Sequence, residues 1–102
     1  MAHSDPVLRE RRDGLTILRL NQPERMNALS VEIKAALAEF VPEFFADTSE
    51  RCLMITGTGK AFCAGGDVRN MTGEQKPEAV RERLTSSHEK WVRHLLHGEK
   101  PV

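Results

Sequence analysis

The sequence predicts an α/β domain with an N-terminal hairpin, a βαβ core and a C-terminal helix. Three observations carry this expectation. Two β-rich stretches flank the pair Asp13-Gly14. Apolar residues at helical spacing run from Ile33 to Phe44. A short apolar stretch, Cys52 to Thr56, follows a polar loop. Strand, helix and strand in that order make a βαβ unit, whose crossover is expected to be right-handed. At 102 residues the chain has the length of one domain rather than two.

The first strand is expected over Val7 to Arg12. Asp13-Gly14 then favours a tight hairpin turn. In Leu15 to Leu20, one face carries Leu15, Ile17 and Arg19, and the other Thr16, Leu18 and Leu20. Both faces are therefore expected to be covered. Pro23 ends the strand region because it has no N–H to give to a ladder. Ser30 is placed to cap a helix, since its hydroxyl can accept from a free N–H of the first turn. Ile33, Leu37, Phe40, Val41 and Phe44 share one helical face. Pro42 lies inside this pattern and is expected to kink or split the helix near Ala38 to Val41. Asp47-Thr48-Ser49 reads as the terminating loop. Cys52 to Thr56 suits a strand buried on both faces. The last helix spans about Pro77 to His97, with Pro77 in its first turn and Gly98 just past its end. Val80, Leu84, Trp91 and Leu95 follow the helical period.

Composition narrows the function classes. Lys plus Arg number 15 and Asp plus Glu 15, so the net charge is zero. That gives no reason to expect nucleic acid as a partner. No apolar run approaches the roughly 18 residues of a membrane helix. Asp5, Arg9 and Glu10 stand where a signal peptide needs an apolar stretch, so a cytoplasmic protein is expected. Cys52 and Cys63 are too few for a disulfide framework and fit no zinc spacing. His94 and His97 can share a helix face, but no carboxylate pattern completes a metal site around them. Cys63 has no basic partner at useful spacing and reads as a small apolar residue rather than a nucleophile.

The glycines hold the remaining chemistry. Gly57-Thr58-Gly59-Lys60-Ala61 fails the Walker pattern in spacing and in its last residue, and Phe62 stands where a dinucleotide fingerprint needs its third glycine. Ala64-Gly65-Gly66-Asp67 is more informative. Adjacent glycines let a ligand approach the backbone closely. Asp67 can cap a short helix, whose free N–H groups would face an incoming oxygen. Donors placed where negative charge develops make an oxyanion hole. The same four residues also suit a plain tight turn.

Three stretches together resemble the N-terminal part of the crotonase (enoyl-CoA hydratase/isomerase) family. They are Leu20-Asn21-Gln22-Pro23-Glu24-Arg25-Met26-Asn27-Ala28-Leu29-Ser30, then Leu53-Met54-Ile55-Thr56-Gly57, then Gly59 through Val68. His97 to Val102 is similar to the family's link to its next core strand. The resemblance implies a ββα spiral fold, of which residues 1–102 are an incomplete single domain lacking the C-terminal catalytic part.

It also implies an acyl-CoA thioester as substrate, with coenzyme A part of that substrate and no separate cofactor. It implies a place in fatty acid metabolism. The N–H of Gly66 would be one of two donors to the thioester oxygen. Ala64 would meet the adenine part of CoA through its backbone. Arg25, Met26 and Ala28 would lie along the nucleotide, with the Arg25 charge suited to phosphate. Gly65 shares the oxyanion segment, and Asp67 and Val68 would flank the acyl pocket. A solvated surface role is the plain alternative for Arg25. The family's second donor and its acid–base carboxylates lie later in the chain, so the 102-residue chain alone is expected to be inactive. Full-length family members are expected to form trimers or hexamers. The alternative function is a non-catalytic fragment that binds CoA or docks on a partner.

Overall fold

A computed structural model describes residues 5–65 and 77–102. It has an antiparallel hairpin, a parallel third strand and one helix laid on the sheet. β1 (Val7–Arg12) and β2 (Leu15–Leu20) pair with Arg12 opposite Leu15 and Val7 opposite Leu20. Asp13 and Gly14 take φ of 53° and 88°, so both turn residues are left-handed as a two-residue hairpin loop demands.

α1 (Val31–Ala46) follows, then β3 (Cys52–Gly57), parallel to β2. The βαβ unit is therefore present, in a sheet ordered β1-β2-β3. The Ser30 hydroxyl caps α1 by accepting from the Ile33 N–H at 3.2 Å. Ile33, Leu37, Val41 and Phe44 are buried in one core with Val7, Leu18, Leu20 and Leu53, and Phe40 packs against it half-buried. Arg9 reaches across this face to Glu43 at 2.6 Å and lies over the Phe40 ring.

Pro42 does not split α1, contrary to the sequence expectation. A proline removes only one internal N–H donor. The buried row continues on both sides of it, from Ile33 to Phe44, and holds both halves of the helix to the sheet.

β3 is covered on one face rather than two. Leu53 is buried on the α1 side, but Met54 on the opposite face is 48% exposed. Among the described residues no second layer covers β3 there. An apolar run looks the same in sequence whether one face or two will be covered. β2 does bury residues of both faces, Ile17 as well as Leu18.

The C-terminal helix runs from Pro77 to His97 in three pieces. These are α2 (Pro77–Ser87), a π-helical turn (His88–Val92) and α3 (Arg93–His97). Trp91 and Leu95 pack half-buried against the core, as their spacing suggests. The side chains of Val80 and Leu84 lie outside the described set. Gly98 ends the helix with φ of −67°, so it is not there for a left-handed cap. A Cβ at Gly98 would lie 2.2 Å from the Phe45 ring, so close approach to that ring is what needs glycine.

The chain then returns to the sheet. Lys100 donates from Nζ to the carbonyls of Phe44 and Asp47 at the end of α1. The Leu53 N–H, on the β3 edge away from β2, donates to the Pro101 carbonyl at 3.0 Å.

Candidate functional site

The loop after β2 and the loop after β3 form the candidate site. The first begins with a 3-10 turn, Pro23–Arg25, with proline in its first position, where its fixed φ fits and no N–H is needed. Met26 and Asn27 follow with φ of 53° and 55°. The backbone N–H groups of Arg25 and Asn27 both donate to the Gln22 carbonyl, at 2.9 and 3.0 Å. The Gln22 side chain accepts from the Ser30 hydroxyl at 2.6 Å, which ties the loop to the cap of α1.

Asn27 joins this loop to the second one. It is fully buried. Its Oδ1 accepts from the Gln22 N–H at 2.7 Å, and its Nδ2 donates to the carbonyls of Thr58 and Ala61 at 3.0 and 2.9 Å. A carboxamide offers one acceptor atom and two N–H donors, and every donor is used here. A further link lies beyond it, where the Leu29 N–H donates to the Gly65 carbonyl at 2.7 Å. On the other side, the Thr58 N–H and hydroxyl both reach the Leu20 carbonyl.

Gly57 makes room for this arrangement. A Cβ there would lie 2.4 Å from the Phe62 carbonyl oxygen and 2.7 Å from both the Ala61 oxygen and Asn27 Nδ2. Gly65 differs. Its φ is 91°, which favours glycine, and nothing lies within 4 Å of where its Cβ would stand. That flank of the backbone is open to an incoming group.

Of the residues expected at the site, Arg25, Met26 and Ala28 sit together on the first loop. Arg25 and Met26 are exposed and Ala28 is half-buried. Among the described residues Arg25 makes no ion pair. Ala64 is exposed and Gly65 half-buried on the second loop, and the Leu29–Gly65 bond brings the loops together. Gly66, Asp67 and Val68 lie outside the described residues. Cys63 is half-buried against the core, as a small apolar residue is. His94 stacks on Phe45 at 6.0 Å while His97 is exposed. Among the described residues no three His, Cys, Asp or Glu side chains gather as a metal site.

Sequence reasoning passed over Asn27 as a structural residue. Its one local signal is the tolerance of Asn for left-handed backbone. An open groove of about 440 Å³ between β1 and α1, lined by Asp5, Val7, Ala36 and Phe40 among others, shares no residue with the two loops.

An α/β unit whose two parallel strands feed one tied pair of loops defines the class. The family follows from comparison. The family model for enoyl-CoA hydratase/isomerase matches residues 15–102, and the chain belongs to that family. It is 38% identical over 93 residues to the 1,2-epoxyphenylacetyl-CoA isomerase of Escherichia coli, covering 87% of this chain and 35% of that protein. It is 41% identical over 68 residues to 3-hydroxyisobutyryl-CoA hydrolase 1 of Arabidopsis thaliana, covering 67% of this chain and 18% of that protein. Among solved structures, an enoyl-CoA hydratase of Mycobacterium smegmatis superposes with a TM-score of 0.84 at 33% identity, over 97% of this chain and 38% of that one. The chain thus spans about a third or less of the length of these two curated relatives. Its α/β fold is the crotonase fold of these neighbours. No helix among the described residues is long and apolar enough to cross a membrane.

Proposed function

We propose that this chain carries the CoA-facing half of an acyl-CoA thioester site of the enoyl-CoA hydratase/isomerase kind. The observation that supports it is the Leu29–Gly65 bond, which sets the Arg25–Ala28 loop beside the glycine segment. In this reading the exposed Arg25 guanidinium pairs with CoA phosphate. Met26 and Ala28 lie along the nucleotide, and the Ala64 backbone meets the adenine. The N–H of Gly66 donates to the thioester oxygen, with Asp67 and Val68 beside the acyl group. Donation strengthens as that oxygen gains negative charge, so it lowers the barrier rather than only tightening binding.

Acid–base work at the carbon next to the thioester needs a carboxylate held nearby. Asp67 is the one acid in the glycine segment, and the reading gives it a flanking role. The 102-residue chain is therefore expected to bind acyl-CoA without turning it over. In the same reading the whole protein is a cytoplasmic trimer or hexamer.

Calorimetric titration of the chain with CoA and with crotonyl-CoA tests the binding. A saturable interaction weakened by Arg25→Ala is expected, and absence of binding defeats the reading. Hydration of crotonyl-CoA at ordinary enzyme rates by this chain would overturn the expected inactivity.

A further inference from the structure

We propose that Asn27 is a positioning residue, whose carboxamide sets the Arg25–Ala28 loop against the turn that leads to Gly65. Its consequence for ligand binding rests on the proposed function; its geometry does not. The Asn27 donors go to carbonyls 31 and 34 residues away, and its acceptor serves Gln22 in its own loop. No other small side chain repeats this pattern. An ionised Asp accepts but does not donate, and an apolar residue does neither.

The backbone is a second, independent observation. Met26 and Asn27 are consecutive non-glycine residues at positive φ. Asn tolerates that conformation and Met does not favour it. Such strain persists only where the surroundings over-determine it, and it gathers at ligand sites. Here the buried Asn27 bonds supply the constraint, and the strained pair leaves Met26 57% exposed on the loop.

A third observation carries the clip to the glycine segment. Leu29, two residues after Asn27, donates its N–H to the Gly65 carbonyl. Releasing Asn27 frees the loop that makes this bond.

Hydrogen exchange with and without substitution tests the coupling. Asn27→Gly keeps the backbone at ease but removes the carboxamide. In that variant the Leu29 amide is expected to exchange about tenfold faster or more, the scale of a lost buried hydrogen bond, with much less change at Leu37 in α1. Equal acceleration at both sites marks a merely structural residue and overturns the proposal, as does an unchanged Leu29. Should Asn27→Gly fail to fold, the unaltered chain still decides. Its Asn27 carboxamide protons and Leu29 amide must open in one step with a common dependence on denaturant, and separate openings overturn the coupling. CoA affinity of Asn27→Gly is expected to fall about tenfold, since small misplacements of positioning groups have large effects. Unchanged affinity in a folded variant overturns the functional consequence. An unaltered chain that ignores CoA defeats the proposed function alone, because the exchange result still judges the clip.

Discussion

Gly57→Ala isolates the packing between the two loops. The backbone at Gly57 is not left-handed, so the substitution adds a steric problem and no conformational one. To stand 3.0 Å from the new Cβ instead of 2.4 Å, the Phe62 carbonyl must retreat by about 0.6 Å. The Ala61 carbonyl and Asn27 Nδ2 crowd the same point at 2.7 Å, and they are bonded to each other at 2.9 Å. Neither is the free end of a flexible chain. Each of these two must give about 0.3 Å of its own, which strains the Asn27–Ala61 bond toward the long end of hydrogen-bonding distance. Overpacking costs about 1–3 kcal/mol, and loss of a buried bond about 1–3 kcal/mol. Stiffening of the unfolded chain returns about 0.4–1 kcal/mol. The expected net loss is about 1–5 kcal/mol, centred on about 3, a large part of the roughly 5–15 kcal/mol of an ordinary domain. Urea unfolding followed by circular dichroism at 222 nm measures it (about the wavelength of the helix signal). Gly65→Ala is the control, with open space but a φ of 91°. It should cost only the strain of positive φ, about 1–2 kcal/mol. If Gly57→Ala unfolds within about 0.5 kcal/mol of the parent, the usual range of a neutral surface change, the steric reasoning is wrong. It is equally wrong if Gly65→Ala proves the more damaging of the two.

Three further outcomes can be checked in the same chain. Ser30→Ala removes the cap of Ile33 and the donor to Gln22, and should cost about 1–2 kcal/mol in the same urea assay. Lys100→Met removes a cation that meets the carbonyls of Phe44 and Asp47 at the negative end of α1. A loss of about 1–2 kcal/mol is expected, and no change would show that water replaces the ammonium without cost. The Ser49 hydroxyl and then its N–H hold the Asp47 carboxyl below its ordinary value of 3.8, with Arg11 and Lys100 adding to the effect. Its stabilising contribution is therefore full above that value and fades as pH falls through the lowered one. Carboxyl-carbon NMR should show the Asp47 titration move upward in Ser49→Ala, and a fixed titration would refute this origin.

The elements governed by neighbours in sequence were the readable ones. Asp13-Gly14 carries its own turn chemistry, and Ser30 its own cap. The buried row from Ile33 to Phe44 is written in one helical period. The expectation for the glycine segment has a different origin, since it rests on the family resemblance and its residues from Gly66 on lie outside the described residues. What sequence reasoning missed depends on distant backbone. Asn27 bonds to carbonyls of Thr58 and Ala61, and a carbonyl leaves no mark on residue type. Lys100 caps a helix whose own last turn holds no basic residue. Met54 sits in an apolar run, yet exposure of its face is decided by what lies above the sheet, not by the run itself. Pro42 stays inside α1 because the buried row that spans it outweighs one lost donor, and that packing is a property of the sheet beneath rather than of the local sequence.

The location of the candidate site follows from strand direction. β2 and β3 run parallel, and Leu20 stands opposite Gly57 where both strands end. The two loops therefore leave the sheet on the same side and at the same level. In open α/β sheets this is the side on which ligands are bound, because chain leaving parallel strands gathers there. Proximity alone does not make a site, since two loops could each relax independently. The Asn27 and Leu29 bonds remove that freedom, and Gly57 provides the space that lets the bonds form. Net charge adds a further condition. A chain with 15 basic and 15 acidic residues offers no overall field to draw in a polyphosphate. In the proposed reading, attraction for phosphate therefore comes from a cation at the loops, and Arg25 fits that part: exposed, and without an ion pair among the described residues.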